Sequence, residues 1–369
     1  MADKNYTYAV ARIRAMETAL FSSSVIEQLM AVKTWSGCLD FLREKGWGSG
    51  NLNEGAEEML EAEEAKAQKT VRDLLGGDDR ILSVFSYQKL YHNLKAAIKK
   101  TASPDFPGEL YYDGCGVDGA EMERIVAEKD FKALPEHMQS IAKEAYETFR
   151  HTGDGQLCDA MVDRAALEAV YSEGKRSGEP VLMAYAESVT AVADIKIAVR
   201  SQKTGKSLEF MRQSMAPCES LNTERLSMAA LSGISAICEY LEGTSYKEGA
   251  EALKESPSAF ERWCDNQLIE SIKPQKYNPF SAGPLAAYLL ARENEIKTVR
   301  IILTGKLNNL PEEAIRERIR EMYVCIRWQS WEIMTAFTAL PPWDLTRFPQ
   351  TGRRSLSRCF TVLFPAGMR

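Results

Sequence analysis

Histidine is nearly missing: His92, His137 and His151 are the only three, they lie in different segments, and none has an H-x-x-x-H or H-E-x-x-H partner. That excludes a histidine-built metal centre. The eight cysteines, at 38, 115, 158, 218, 238, 264, 325 and 359, stand singly with no C-x-x-C pair, and neither zinc ligation nor a redox dithiol is expected of them. The opening MADKNYTYAV lacks the basic-then-apolar pattern of a secretory signal, which makes reduced thiols the expectation rather than disulfides. Long apolar runs are absent too. The most apolar stretch, Ser281 to Ala291, falls well short of the roughly 18–20 residues that cross a bilayer. Nothing alternates with period two over a useful length, so strands are not expected. No G-x-S-x-G elbow or other nucleophile motif occurs. Positive charge is not in excess either: the net charge of −6 argues against nucleic acid as the main partner.

What is present is repetition. Glu295-Ile296-Lys297 has counterparts at Asp194-Ile195-Lys196 and Asn93-Leu94-Lys95, 101 residues apart in both steps. Each copy reads carboxylate or amide, aliphatic, lysine. A second basic residue follows three or four positions on (Lys99, Arg200, Arg300), which keeps it on the same helix face. A threonine comes next (Thr101, Thr204, Thr304), and Gly205-Lys206 and Gly305-Lys306 read as helix C-caps. A long fixed period signals tandem copies of one structural unit. The fold class is therefore all-α, with three tandem helical modules at 1–119, 120–218 and 219–324.

The spacing predicts helices from Tyr8 to Phe21, Val25 to Val32 with a serine cap, Trp35 to Lys45, Glu57 to Asp73 and Ile81 to Lys100. Between the third and fourth lies a loop, GWGSGNLNEG, at 46–55. Its glycines lack both a preceding strand and the spacing of a dinucleotide fingerprint. Asp163 and Asp265 each precede a helix–break–helix stretch that leads into a repeat core, and are read as heading their helices as caps. Leu310 to Ile315 (LPEEAI) reads as a further helix start. Gln202 to Ser207 ends like a phosphate-binding P-loop, but Arg200 stands where that motif needs glycine and no strand precedes it. No catalytic, cofactor-binding or metal-ligating residue is expected anywhere in the chain.

The opening YAVARIRAMETALFSSSVIEQLM, the first core YHNLKAAIK and the closing NPFSAGPLAAYLLARENEIKTVRIILTGKLNNLPEEAIRERIREMYV resemble the C subunit of prokaryotic V-type (V/A-type) ATPases, the counterpart of the eukaryotic d subunit (the AC39 family). The resemblance covers about residues 1–324. It implies a funnel of three similar modules with pseudo-three-fold symmetry, in the central stalk of a rotary ATPase or ATP synthase. Such a subunit has no active site and needs no cofactor. It couples the rotating shaft, made of D- and F-type subunits, to the membrane rotor (proteolipid) ring that moves protons or sodium. It would be peripheral, on the cytoplasmic face of the plasma membrane. The acidic Glu57 to Glu64 face and the repeated Lys and Arg positions are then candidate partner contacts. On the residues alone, a free-standing helical scaffold is the alternative.

Family members usually end near Arg320 to Val324. The remaining stretch, 325–369, holds six Arg against one Glu and one Asp, no Lys and three of the six Trp. Back-translated into another frame it resembles the small shaft-associated F subunit. It is therefore expected to be out-of-frame read-through, lying outside the family fold and disordered.

Overall fold

A computed structural model describes residues 6–51, 53–77, 80–102 and 111–324. The expectations for the 325–369 tail lie outside the described residues. The contacts group the chain up to Val324 as one unit.

Among the described residues sixteen α-helices follow one another: Thr7–Glu17 (α1), Ser23–Ala31 (α2), Trp35–Glu44 (α3), Ala56–Leu75 (α4), Arg80–Ala102 (α5), Gly119–Glu128 (α6), Glu136–Thr152 (α7), Gly155–Ser177 (α8), Pro180–Thr204 (α9), Leu208–Ser214 (α10), Thr223–Ser232 (α11), Ile234–Glu242 (α12), Lys247–Glu255 (α13), Pro257–Ile272 (α14), Gly283–Leu307 (α15) and Glu312–Arg316 (α16). Two 3-10 turns, Phe131–Ala133 and Lys273–Tyr277, complete the set. The all-α class is observed. The only extended pairing among these residues is an isolated bridge between Ser22 and Val324.

Local chemistry sets the helix boundaries. Asp154 caps α8 by accepting from the amides of Gln156 and Leu157, and Asp118, Ser207, Asn222 and Ser256 do the same for α6, α10, α11 and α14. Proline opens α9 and α14, where its missing N–H costs nothing. Ser22 does precede α2, but its side chain makes no capping bond. Two other expectations fail. Asp163 and Asp265 lie inside α8 and α14 rather than at their starts, because the true caps, Asp154 and Ser256, stand nine residues upstream in each case. Gly305 lies within α15, two residues before its end, instead of capping it. A Cβ there would come within 2.5 Å of the Ile315 side chain, so the glycine lets α16 lie tight against α15.

The repeat cores sit on α5, α9 and α15, three of the long helices, and these organise the interior. Their N-terminal halves share one apolar cluster: Ile81, Leu82 and Val84 from α5, Val181, Leu182, Tyr185 and Ala186 from α9, and Leu285 through Ala291 from α15. Seventeen residues of α15 are buried, as expected of a helix apolar on nearly every side.

The C-terminal halves serve three separate clusters. Leu90, Leu94 and Ile98 of α5 pack with α6, α7 and α8. Ile195, Ala198 and Val199 of α9 pack with α10 to α14. Ile296, Val299, Ile302 and Leu303 of α15 pack with Ile26, Leu29, Leu39, Leu42, Met59 and Leu60, from the beginning of the chain. Each of these helices thus joins the centre to a second cluster, built for α5 and α9 with helices that follow them. For α15 the partners are mainly the helices at the chain's start. The junction is fastened by the Ser22–Val324 bridge, by Tyr323, whose hydroxyl donates to Glu17 at 3.2 Å, and by Arg14, which donates to the carbonyls of Gln275 and Asn278.

Candidate functional site

The first residue of each repeat core is fully buried: Asn93, Asp194 and Glu295 are each 0 % exposed. A buried polar side chain must find partners, and these find backbone. Asn93 donates to the carbonyl of Tyr112 and accepts from its amide, both at 2.8 Å. Asp194 accepts from the amide of Ala216 at 3.0 Å. Glu295 is engaged by the backbone of Phe21 and by Arg292, whose Nη1 donates to it at 2.7 Å. The repeated carboxylate-or-amide position therefore ties each long helix to a neighbouring non-helical segment. Burial pushes the carboxyls of both Asp194 and Glu295 up to about 7.

The repeated lysines meet acids on other helices. Lys95 pairs with Asp163 of α8 at 2.5 Å, Lys196 with Glu261 of α14 at 3.1 Å, and Lys297 with Asp265 of α14 at 2.6 Å. Asp265 also receives the buried Arg320 at 2.8 Å. The basic residues that follow behave alike in two copies: Lys99 meets Asp159 and Arg300 meets Glu57.

Charge is concentrated most between α4 and α15. Arg292 bridges Glu63 and Glu295, two carboxylates exposed by only 4 % and 1 %, and its guanidinium lies 4.7 Å from the centre of the Trp47 ring. Glu63 additionally accepts from Lys66 and from the amide of Gly48. The glycine-rich loop thus wraps a carboxylate, with Gly46, Gly48 and Gly50 all at positive φ. At Gly48 the backbone runs so close to Glu54 that a Cβ would lie 2.2 Å from its carboxylate.

Beside this cluster opens a cleft of about 1250 Å³ whose walls are α4, α14, α15 and Tyr111 to Asp113. Glu64 of α4 spans it to Lys89 of α5. Glu61 and Glu293 line it without an ion-pair partner among the described residues. Glu293 is reachable by solvent yet walled in by protein, and this crowding, with Glu64 nearby, raises its carboxyl above the ordinary range. Most of the Glu57 to Glu64 face and of the repeated basic residues is thus committed to ion pairs inside the chain.

The remaining candidates have local roles. Gly205 is the left-handed C-cap of α9 (φ 63°), the amide of Lys206 donates to the Ser201 carbonyl at 2.9 Å, and Ser207 caps α10. His137 hydrogen-bonds the buried Tyr91 hydroxyl at 2.9 Å, and burial holds its imidazole below the usual range. His92 meets the Tyr112 ring edge-on. Cys38, Cys115, Cys158, Cys218, Cys238 and Cys264 are free thiols, all raised by burial. Among the described residues no group of three or more His, Cys, Asp or Glu is placed to hold a metal ion, and no helix is long and apolar enough to cross a membrane.

Residues 9–318, nearly all of the described fold, match the family described as ATP synthase (C/AC39) subunit. The chain belongs to that family. It is 23 % identical over 345 residues to the A-type ATP synthase C subunit of Methanocaldococcus jannaschii, covering 84 % of this chain and 85 % of that one. To the V-type sodium ATPase C subunit of Enterococcus hirae it is 20 % identical over 318 residues, covering 84 % and 97 %. The A-type ATP synthase C subunit of Thermococcus kodakarensis gives 22 % over 348 residues, with 86 % and 91 % covered. This is therefore a subunit of an A/V-type ATP synthase or ATPase, and ion transport belongs to the complex it serves. The buried Asn93, Asp194 and Glu295 were marked by the repeat, but their anchoring role was not legible before the helices were placed. The Arg292 cluster carried no sequence signal beyond its charges.

Proposed function

We propose that this chain is a non-catalytic central-stalk subunit. It would couple the D- and F-type shaft of the ATP-hydrolysing head to the membrane proteolipid ring, on the cytoplasmic face of the membrane. The carrying observation is the family match across residues 9–318. The packing supports it: three long helices meeting in one core, each feeding a further cluster, make a stiff body suited to torque. On this reading the modules 1–119, 120–218 and 219–324 form a funnel with pseudo-three-fold symmetry, and consecutive modules share their cores. The cleft beside α15, with the unmatched acids Glu61 and Glu293, suits a basic tip on the shaft. Whether protons or sodium move is decided in other subunits.

Co-purification tests this reading. The full chain and residues 1–324 should both capture shaft subunits and rotor ring in stoichiometric amounts, and neither should hydrolyse ATP alone. A well-folded sample that captured neither partner would overturn the proposal and leave the free-standing scaffold. Reversing both cleft acids (Glu61→Lys with Glu293→Lys) should weaken shaft capture by at least about tenfold and leave ring capture intact, since complementary charge tunes such contacts.

A further inference from the structure

The three buried repeat-core residues hold similar positions but differ in chemistry. Asn93 shows a complete arrangement, one donor and one acceptor, both used on the backbone of Tyr112. Asp194, 101 residues on, uses Oδ1 to accept from the Ala216 amide, while Oδ2 is buried with no partner. An ionised carboxylate only accepts, whereas a protonated one also donates as the amide does. Glu295 differs because Arg292 is bonded to it, whereas no cation bonds Asp194. We propose that Asp194 takes a proton from solvent as the chain folds, and that the junction it makes between α9 and the 215–221 segment is a pH-sensitive latch, tighter in acid.

Glu187 of α9 also holds the segment, accepting from the amides of Glu219 and Ser220; burial raises its carboxyl, but these hydrogen bonds bring it below the ordinary carboxylate range, so it stays ionised between pH 5 and 8 and leaves the titration there to Asp194. Arg164 of α8 favours its charged form only from a distance. Arg212 of α10 and Glu224 of α11 pair with each other on the surface, Glu261 of α14 pairs with Lys196, and Glu242 of α12 pairs with Lys254. Cys218 beside it keeps its own proton, its thiol pushed up to about 11 by burial. Helices α5 and α15 meet α9 at its N-terminal half, in a different cluster. The sign follows from linkage. A carboxyl whose pKa is raised in the closed state binds more protons there than in the open, solvated state. Closure therefore weakens as pH rises from the ordinary carboxylate range to the closed-state value, and changes no further above it.

The test uses the full chain, with Asp194 followed by its ¹³Cγ resonance and segment opening by amide exchange at residues 215–221. The resonance should titrate with a midpoint of about 7. Corrected for intrinsic exchange, opening should increase about tenfold per pH unit between pH 5 and 7. Asp194→Asn, which copies Asn93, should remove that dependence. A resonance ionised throughout pH 5–8, or an Asn variant with unchanged pH dependence, overturns the proposal. If the variant fails to fold, the wild-type titration still decides.

Discussion

Arg292 serves two buried carboxylates with one guanidinium, so its removal leaves Glu295 without a cation and Glu63 with Lys66 alone. Arg292→Ala should cost about 3–5 kcal/mol, the usual consequence of leaving buried charge uncompensated, read as a lowered midpoint in urea denaturation. Glu295 adds a pH dependence. Burial raises its carboxyl to about 7 against the pull of Arg292, so the unfolded chain ionises first and stability falls as pH rises from about 4 to 7. Glu295→Gln should flatten that part of the stability–pH profile measured by thermal melts. Gly305 makes a steric argument instead. Its Cβ would lie 2.5 Å from Ile315 Cγ1, so Gly305→Ala should destabilise by about 1–3 kcal/mol. Adding Ile315→Ala should recover part of that loss in a double-mutant cycle.

At the scale of elements, the ion pairs between helices are numerous but individually weak. Lys95 and Asp163 are 18 % and 55 % exposed, and Lys95→Met should change stability by less than about 1 kcal/mol in the same denaturation assay. The helices themselves were largely legible. Trp35–Glu44 and Arg80–Ala102 fall within a residue or two of the spacing-based expectation, because caps, prolines and glycine-rich breaks are local signals. Asp163 and Asp265 were misplaced because an acid inside a helix and one at its start look alike until the upstream cap is recognised. The ties from Asn93, Asp194 and Glu295 escaped because a hydrogen bond to backbone elsewhere in the chain leaves no local trace in sequence. For Glu295 the tied backbone, at Phe21, stands at the opposite end of the chain.

For the whole molecule, the repeat raised the expectation of three related units. It gave no sign that α15 would be completed by α2, α3 and α4. Tertiary partnership at such separations is set by packing complementarity, which periodicity does not encode. The contact unit ends at Val324, where the family resemblance also ends.

The sharing of that last cluster bears on how the protein is made. Helices α2 and α3 leave the ribosome early, yet α15, whose apolar face they cover, begins roughly 240 residues later. At about 5–20 residues per second, that is about 10–50 s of translation. Throughout it Ile26, Leu29, Leu39 and Leu42 can pack only on one another and on neighbours such as Trp47, Met59 and Leu60, without the α15 side of their cluster. The nascent chain thus exposes its oldest apolar surface longest, and it is the arrival of α15 that ends that exposure.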